Sequence, residues 1–493
     1  MATRFSHWQC GRDYQLIDGG DGASTLFVSG NHRLLRVSDA MAARLREGPD
    51  RLTPDEAAEW NLLAEQGYIS DVNLESVQRA SFTDGSNLAI NVNLTATCNL
   101  GCSYCFADGG DYGRIKGKLD ADVEDDIFDF VADRTQRGQI VRFEFFGGEP
   151  LLNFARIASM CARAEEIEQR LGIRFLFRIS SNLTILPPGC LELFARHRFI
   201  VSVSIDGGRE THDRNRPTKG GRGSWDKIMA NCMAVRAASD AILLVARMTV
   251  VGGPVGLSEN VRQLWALNIF DYFQIYPGVV PREASHVFGD EAASDGGTMA
   301  RGFLAEFADF VDEYAALFTP ENRFRGVLEY ERIVDMVEKG KAALSFCSGG
   351  RNYFTFSPDR SVMPCHRLVG DTEAQLGVSG SPVAQDARLE PWRLPIDRNP
   401  TCSQCWIRYI CAGGCRQENQ QATGDINTPS AEGCHYQIRL VEKVVGMMAA
   451  QSRAYREQDR IELDDMFVSC GRPMTVNLRR DPDLPELAHF DRI

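Results

Sequence analysis

LAINVNLTATCNLGCSYC, residues 88–105, decides how the rest of the chain is read. Its first eight residues are an apolar run of strand length, which ends in a loop carrying Cys98, Cys102 and Cys105. The pattern of strand followed by a special loop recurs in IVRFEFFGGEP (140–150), RFLFRISSN (174–182) and FIVSVSIDGG (199–208). AILLVARMTVV (241–251) and FDYFQIYPGVV (270–280) read as two more strands. Between them lie helical stretches at 153–171 and 224–238, and one at 119–138 that brings Val123, Ile127, Phe130 and Val131 to one face. Six strands joined by helical crossovers predict a parallel α/β sheet, too short to close an eight-stranded barrel. The expected fold is a partial (β/α)6 barrel over residues 86–340. Chemistry in such folds collects at the carboxyl ends of the strands, where CNLGCSYC, GGEP, SSN and SIDG follow the first four.

Residues 1–85 read as a separate unit. STLFVSGNHRLLRVS (24–38) carries strand signals around a Gly-Asn turn. Two helices follow, with Ser38 and Thr53 as N-caps. Strands followed by short helices suggest a winged-helix-like module that recognises a leader or substrate; a packing extension of the barrel is the alternative. Helices at roughly 297–318 and 326–340 lead into a cysteine-rich domain, 341–437, whose stretch 347–434 is short of regular periodicity. Residues 438–493 hold a helix at about 436–457, which begins just inside that domain, and a charged tail.

The net charge of −13 argues against a general binder of nucleic acid or anionic membranes. No apolar signal core and no run of about 18 apolar residues is found, so the chain is expected in the cytoplasm. Fifteen cysteines in that compartment point to metal rather than disulfides. Cys161, Cys190 and Cys232 lie alone in apolar stretches and read as buried small hydrophobes. Cys10 and Cys470 are unassigned. By spacing alone, Cys98, Cys102 and Cys105 suit zinc with a distant fourth ligand, or an iron–sulfur cluster with one iron open. The later set, Cys347, Cys365, Cys402, Cys405, Cys411, Cys415 and Cys434, suits two zinc sites.

C-x3-C-x2-C with Tyr104 before its last cysteine, followed in order by GGEP, SSN and SIDG, resembles the radical S-adenosylmethionine (SAM) enzymes over about 88–280. The resemblance implies that Cys98, Cys102 and Cys105 hold a 4Fe–4S cluster whose open iron chelates SAM. It implies that Gly147, Gly148, Glu149 and Pro150 receive the methionine amino group, and that Ser181 and Asn182 contact its ribose or methionine end. Tyr104, Ser204, Asp206 and Arg247 are further expected cofactor contacts. One electron then cleaves SAM to a 5′-deoxyadenosyl radical, which the barrel orients and shields. Each residue alone has a plainer reading: a Gly-Gly turn, an Asp206 helix cap, a surface Arg247.

The C-x2-C-x5-C-x3-C run at 402–415 with a later cysteine resembles the SPASM extension of the same enzymes, which carries auxiliary clusters. The resemblance implies three 4Fe–4S clusters in all: one binding SAM, one on Cys402, Cys405, Cys411 and Cys434, and one on Cys347, Cys365 and Cys415. The last is a thiolate short, since no cysteine lies between Cys232 and Cys347. A substrate thiolate, a carboxylate, Cys10 or Cys470 is left to complete it. Enzymes of this build mostly modify peptides or proteins, with an external one-electron reductant such as flavodoxin or ferredoxin. PCHRLVGD (364–371) resembles thioether-forming maturases, whereas SIDGGRETHDRNRPTKGGRGS (204–224) resembles the sulfatase maturases. The latter carry an acidic residue where His366 stands, and His366 is read as a base, a hydrogen-bond donor or a structural residue. The expected substrate is a cysteine-containing peptide or small protein. Carbon–carbon or carbon–oxygen crosslinking, and an inactive electron carrier or scaffold, are the remaining alternatives.

Overall fold

The computed structural model describes residues 3–19, 23–72, 87–112, 115–251, 256–278, 306–319, 321–383, 389–450, 474–477 and 490–492. Strands β1 (Tyr14–Asp18), β2 (Ala23–Val28) and β3 (Arg33–Ser38) form an antiparallel meander. Helices Asp39–Glu47 and Pro54–Glu65 follow it. Ser38 Oγ accepts the Met41 N–H at 3.3 Å, and Thr53 and Glu56 form a reciprocal capping box. Both expected caps are present. Arg44 beside Glu56 holds that carboxyl down to about 2. This unit has its own core, built on Trp8, Tyr14, Trp60 and Tyr68.

The six expected barrel strands are β4 (Leu88–Asn93), β5 (Ile140–Phe146), β6 (Arg174–Ser181), β7 (Ile200–Ser204), β8 (Leu243–Val250) and β9 (Tyr272–Pro277). They are parallel neighbours in chain order. Helices such as Ala121–Arg134, Phe154–Leu171 and Trp225–Ala238 fill the connections. The sheet extends further than the sequence pattern indicates. β10 (Gly326–Val327) joins β9 in parallel; β11 (Lys341–Ser345) lies outside the sheet. β12 (Tyr353–Phe356) pairs in parallel with β4, and β13 (Ser361–Met363) and β14 (Gly377–Val378) continue antiparallel. The stretch read as lacking periodicity thus supplies three strands, each too short for alternation to register. β15 (Met474–Asn477) pairs with β11, and β16 (Phe490–Arg492) pairs with β3.

Period-2 alternation divides the barrel strands into two faces. Ile90, Val92, Phe143, Phe145, Val201 and Val203 join the helices in one apolar core, together with the fully buried Cys161, Cys190 and Cys232. Burial of each large apolar side chain there contributes roughly 1.5–3 kcal/mol. Val123, Ile127 and Val131 are buried as expected, while Phe130 is half-buried against Phe354 and Phe356 of β12, at 5.0 and 5.2 Å between centroids. The final helix, Ala431–Ala450, starts earlier than expected and carries Cys434 itself. Cys470, residues 297–305 of one expected helix, the end of the expected 436–457 helix and the unit boundary near 85 lie outside the described residues. Among the described residues, no helix is long and apolar enough to cross a membrane.

Candidate active site

The loop with Cys98, Cys102 and Cys105 follows β4 and lies against the GGEP turn after β5. Gly148 N–H donates to Thr95 O and Glu149 N–H to Thr97 O, both at 2.8 Å. The approach is close enough to demand glycine. A Cβ on Gly148 would lie 2.2 Å from Thr97 O, and one on Gly147, at φ +129°, would lie 2.5 Å from Asn93 Oδ1.

Glu149 is fully buried and begins the turn Pro150–Asn153. Its carboxylate accepts Ser181 Oγ–H and Asn182 N–H, each at 2.7 Å, and Leu151 N–H at 3.0 Å. Burial outweighs these donors and pushes the group up to about 7. Glu149 and Ser181 therefore fasten β5 to β6. Asn182 turns its amide the other way, donating to Cys98 Sγ at 3.6 Å and Asn99 Oδ1 at 2.9 Å. Leu100 N–H also donates to Cys98 Sγ, at 3.5 Å.

Asp206, after β7, is a second buried fastener. It accepts Tyr104 Oη–H at 2.5 Å, Arg216 Nη2–H at 2.9 Å, Thr249 N–H at 3.0 Å and Asn215 Nδ2–H at 3.4 Å. Arg216 also lies over the Tyr104 ring, 5.2 Å from its centroid. Tyr104 and Asp206, both expected to touch the cofactor, thus bind each other through their polar ends. Ser204 is half-buried at the end of β7. Arg247 donates to Ser180 Oγ at 3.1 Å and lies between the Phe146 and Tyr276 rings, at 5.7 and 5.5 Å.

The polar face of the strands holds a network that lies outside the motifs. Arg178 donates to Ser202 Oγ at 3.0 Å and Gln274 Oε1 at 2.8 Å, and lies 3.8 Å from Glu144. Glu144 accepts from Ser180 at 3.2 Å and Asn91 at 3.5 Å. Asn91, Glu144, Arg178 and Ser202 were visible as polar residues alternating with apolar ones in strands that are otherwise buried. Both amide atoms of Asn93 and the Thr95 hydroxyl, just before the cysteine loop, are buried without a protein partner. Orphaned polar groups at this spot suit a polar ligand.

The C-terminal cysteines fall into two neighbourhoods. Burial, then the nearby Cys434 and Cys405, pushes Cys402 up to about 12; burial, with Cys405, Cys402 and Cys434, does the same to Cys411. The second neighbourhood surrounds two arginines. Arg367 N–H donates to Cys365 Sγ at 3.5 Å, and its Nη1–H donates to Cys415 Sγ at 4.0 Å and to Glu418 Oε1 at 2.6 Å. Burial raises the Cys347 thiol, and Arg416, Arg351 and Arg332 oppose that rise. Arg416 interacts electrostatically with both Cys347 and Cys415. Tyr112 links this neighbourhood to the rim: its phenol is raised by burial, then by Cys105 and Cys365.

His366 is buried, with Nδ1 2.8 Å from Tyr353 Oη and its ring 5.0 Å from Phe146. Burial, then Arg247, Arg367 and Arg178, holds it well below its ordinary value, which disfavours the imidazolium. Cys10 Sγ lies 3.8 Å from Gln15 Oε1 in the N-terminal unit. Ten thiols expected as ligands are free of disulfides, and N–H groups point at Cys98 and Cys365, a donor set that fits iron–sulfur clusters. Among the described residues, no three His, Cys, Asp or Glu side chains converge on a single-ion position, the arrangement of a closed zinc site.

Residues 92–266 match the radical SAM superfamily. A serine-type anaerobic sulfatase-maturating enzyme of Klebsiella aerogenes is 23% identical over 333 residues, 64% of this chain and 76% of the relative. A cysteine-type anaerobic sulfatase-maturating enzyme of Clostridium novyi (strain NT) is 23% identical over 388 residues, 74% of this chain and 97% of the relative. The solved structure of native anSMEcpe with bound AdoMet aligns at TM-score 0.60 and 16% identity, covering 73% of this chain and 98% of that one. The fold is that of the radical SAM enzymes, and the chain is an enzyme of that type.

Proposed function

We propose that this radical SAM enzyme matures a peptide or protein and that it joins a cysteine sulfur of the substrate to a carbon of another residue. The carrying observation is the second thiol neighbourhood: Arg367 reaches both Cys365 and Cys415, and Arg416 acts on both Cys347 and Cys415, while the sequence offers no cysteine between Cys232 and Cys347 as a further ligand. When bound, a 4Fe–4S cluster on Cys98, Cys102 and Cys105 with SAM would supply a 5′-deoxyadenosyl radical that takes hydrogen from a substrate carbon.

The chain's own residues orient and shield. Gly147 and Gly148 let the turn approach the cysteine loop, and Glu149 holds Ser181 and Asn182 beside Cys98. Tyr104 and Asp206 fix the loop from the other side, which makes them positioning residues. Ser204, Arg247 and the unpartnered Asn93 are left to meet SAM or substrate. Cys402, Cys405, Cys411 and Cys434 would hold one auxiliary cluster, and Cys347, Cys365 and Cys415 the other. Residues 1–85 would recognise the substrate, and a flavodoxin or ferredoxin would supply electrons.

Formylglycine formation is the rival, favoured by the similarity to sulfatase-maturating enzymes. Against it, the position after Cys365 carries no acid, and the His366 Nδ1 there is engaged by Tyr353. Anaerobic incubation with SAM, dithionite and the small cysteine-containing protein encoded beside the gene separates the two. Release of 5′-deoxyadenosine with loss of two hydrogens and of one titratable thiol supports the thioether. The same mass loss with the thiol retained indicates another crosslink, and an aldehyde at a single cysteine supports the rival.

A further inference from the structure

Outside the SAM rim, Arg367 is a charged residue in contact with two C-terminal sulfurs. Its backbone N–H reaches the sulfur of Cys365 at 3.5 Å and its guanidinium that of Cys415 at 4.0 Å. One residue therefore touches two of the three thiols in the incomplete group. Its carboxylate partner, Glu418, is 2.6 Å away but 39% exposed, whereas the Arg367 side chain is 22% exposed. Water screens the anion more than the cation, so the pair leaves net positive potential on the sulfurs. The guanidinium also lies 5.9 Å over the ring of Phe106, the residue after Cys105. The arginines next to the four-thiol group act on Cys405 and Cys411 through their charge but give their hydrogen bonds to carbonyls, Arg408 to those of Arg12 and Cys405 and Arg332 to that of Ile410.

We infer that Arg367 is a positioning residue that raises the reduction potential of the auxiliary centre on Cys347, Cys365 and Cys415, making it the preferred electron acceptor of the two. The inference rests on the cluster assignment proposed above. Adding one electron to a thiolate-bound cluster adds one negative charge, which a half-buried cation and N–H···S contacts stabilise. Glu418 is the opposing weight. Its removal must act in the opposite direction, which a purely structural role for the pair does not require.

The test uses the full chain with Cys98, Cys102 and Cys105 replaced by alanine, reconstituted anaerobically with iron and sulfide. Stepwise reduction by dithionite is followed by electron paramagnetic resonance, which reads the two auxiliary signals separately. Arg367→Gln is expected to lower one potential by about tenfold in the one-electron equilibrium, ~59 mV, and to leave the other unchanged. Arg367→Lys recovers most of the shift, and Glu418→Gln raises the same potential. If Arg367→Gln does not retain its iron, the exposed Glu418→Gln alone decides. Unmoved or equally moved potentials overturn the inference while leaving the cluster assignment intact. A parent protein with only one auxiliary signal overturns the assignment, and the inference with it.

Discussion

The cysteine loop at the barrel rim and the cysteine loops of the C-terminal domain are fastened by opposite chemistries. At the rim, two buried carboxylates collect donors: Glu149 takes Ser181, Asn182 and Leu151, and Asp206 takes Tyr104, Arg216, Thr249 and Asn215. In the C-terminal domain, arginines collect acceptors. Arg416 donates to Pro391 O at 2.7 Å, Leu394 O and Ser345 Oγ at 3.3 Å, and Asn427 Oδ1. The local backbone explains the choice. Strand ends present free N–H groups, which need an acceptor, whereas irregular loops present unpaired carbonyls, which suit a side chain with five donors. The electrostatic result is that Cys98 lies near the anion Glu149 and Cys102 near the Arg216–Asp206 pair, whereas Cys347 and Cys415 lie among cations.

Four substitutions would break or sharpen that contrast. The largest effect is expected from Asp206→Ala, which strands the buried Arg216 and should cost about 3–5 kcal/mol of stability. Thermal melting reads the loss, and 5′-deoxyadenosine release should fall at least in proportion, while iron bound by the C-terminal cysteines is retained. Gly148→Ala comes next: its Cβ meets the Thr97 carbonyl, and overpacking against backbone should cost about 3 kcal/mol, again with the rim affected and the C-terminal iron spared. Arg416→Met tests the other side. Unpaired loop carbonyls should cost about 2 kcal/mol, and iron should be lost from the C-terminal cysteines with SAM cleavage retained.

The smallest effect concerns pH. His212 is buried, accepts Asp206 N–H at 3.4 Å and lies 2.9 Å from Ser224 Oγ, and burial lowers it to about 4. Between about 4 and 6.5 the unfolded chain binds the extra proton, so this contribution is present above 6.5 and lost as pH falls through 4. His212→Gln should flatten the fall in melting temperature across that window. An unchanged slope would remove His212 from the rim's fastening.

Much of this was legible in sequence because the six strands are long apolar runs, each ended by a polar or glycine-bearing loop. Ser38 and Thr53 announced their helices by side-chain chemistry that acts within three residues. β12 was not legible: four residues cannot display alternation, and its place beside β4 depends on a contact across the whole barrel. Tyr104 and Asp206 were legible as special residues but not as partners of each other, since they stand 102 positions apart. Arg216, Arg367 and Arg416 resemble solvated cations in sequence, because nothing local records that a carboxylate, a sulfur or a cluster of carbonyls comes to meet them.

The pairing of β16 with β3 also has a consequence for how the molecule is made. Val37 and Phe490 are about 450 positions apart, and at roughly 5–20 residues per second the ribosome needs on the order of a minute to travel between them. For that interval the outer edge of β3 is an open strand edge, able to pair with any extended peptide nearby. The nascent enzyme is thus more adhesive than the finished one, and pairing with β16 is what ends this exposure.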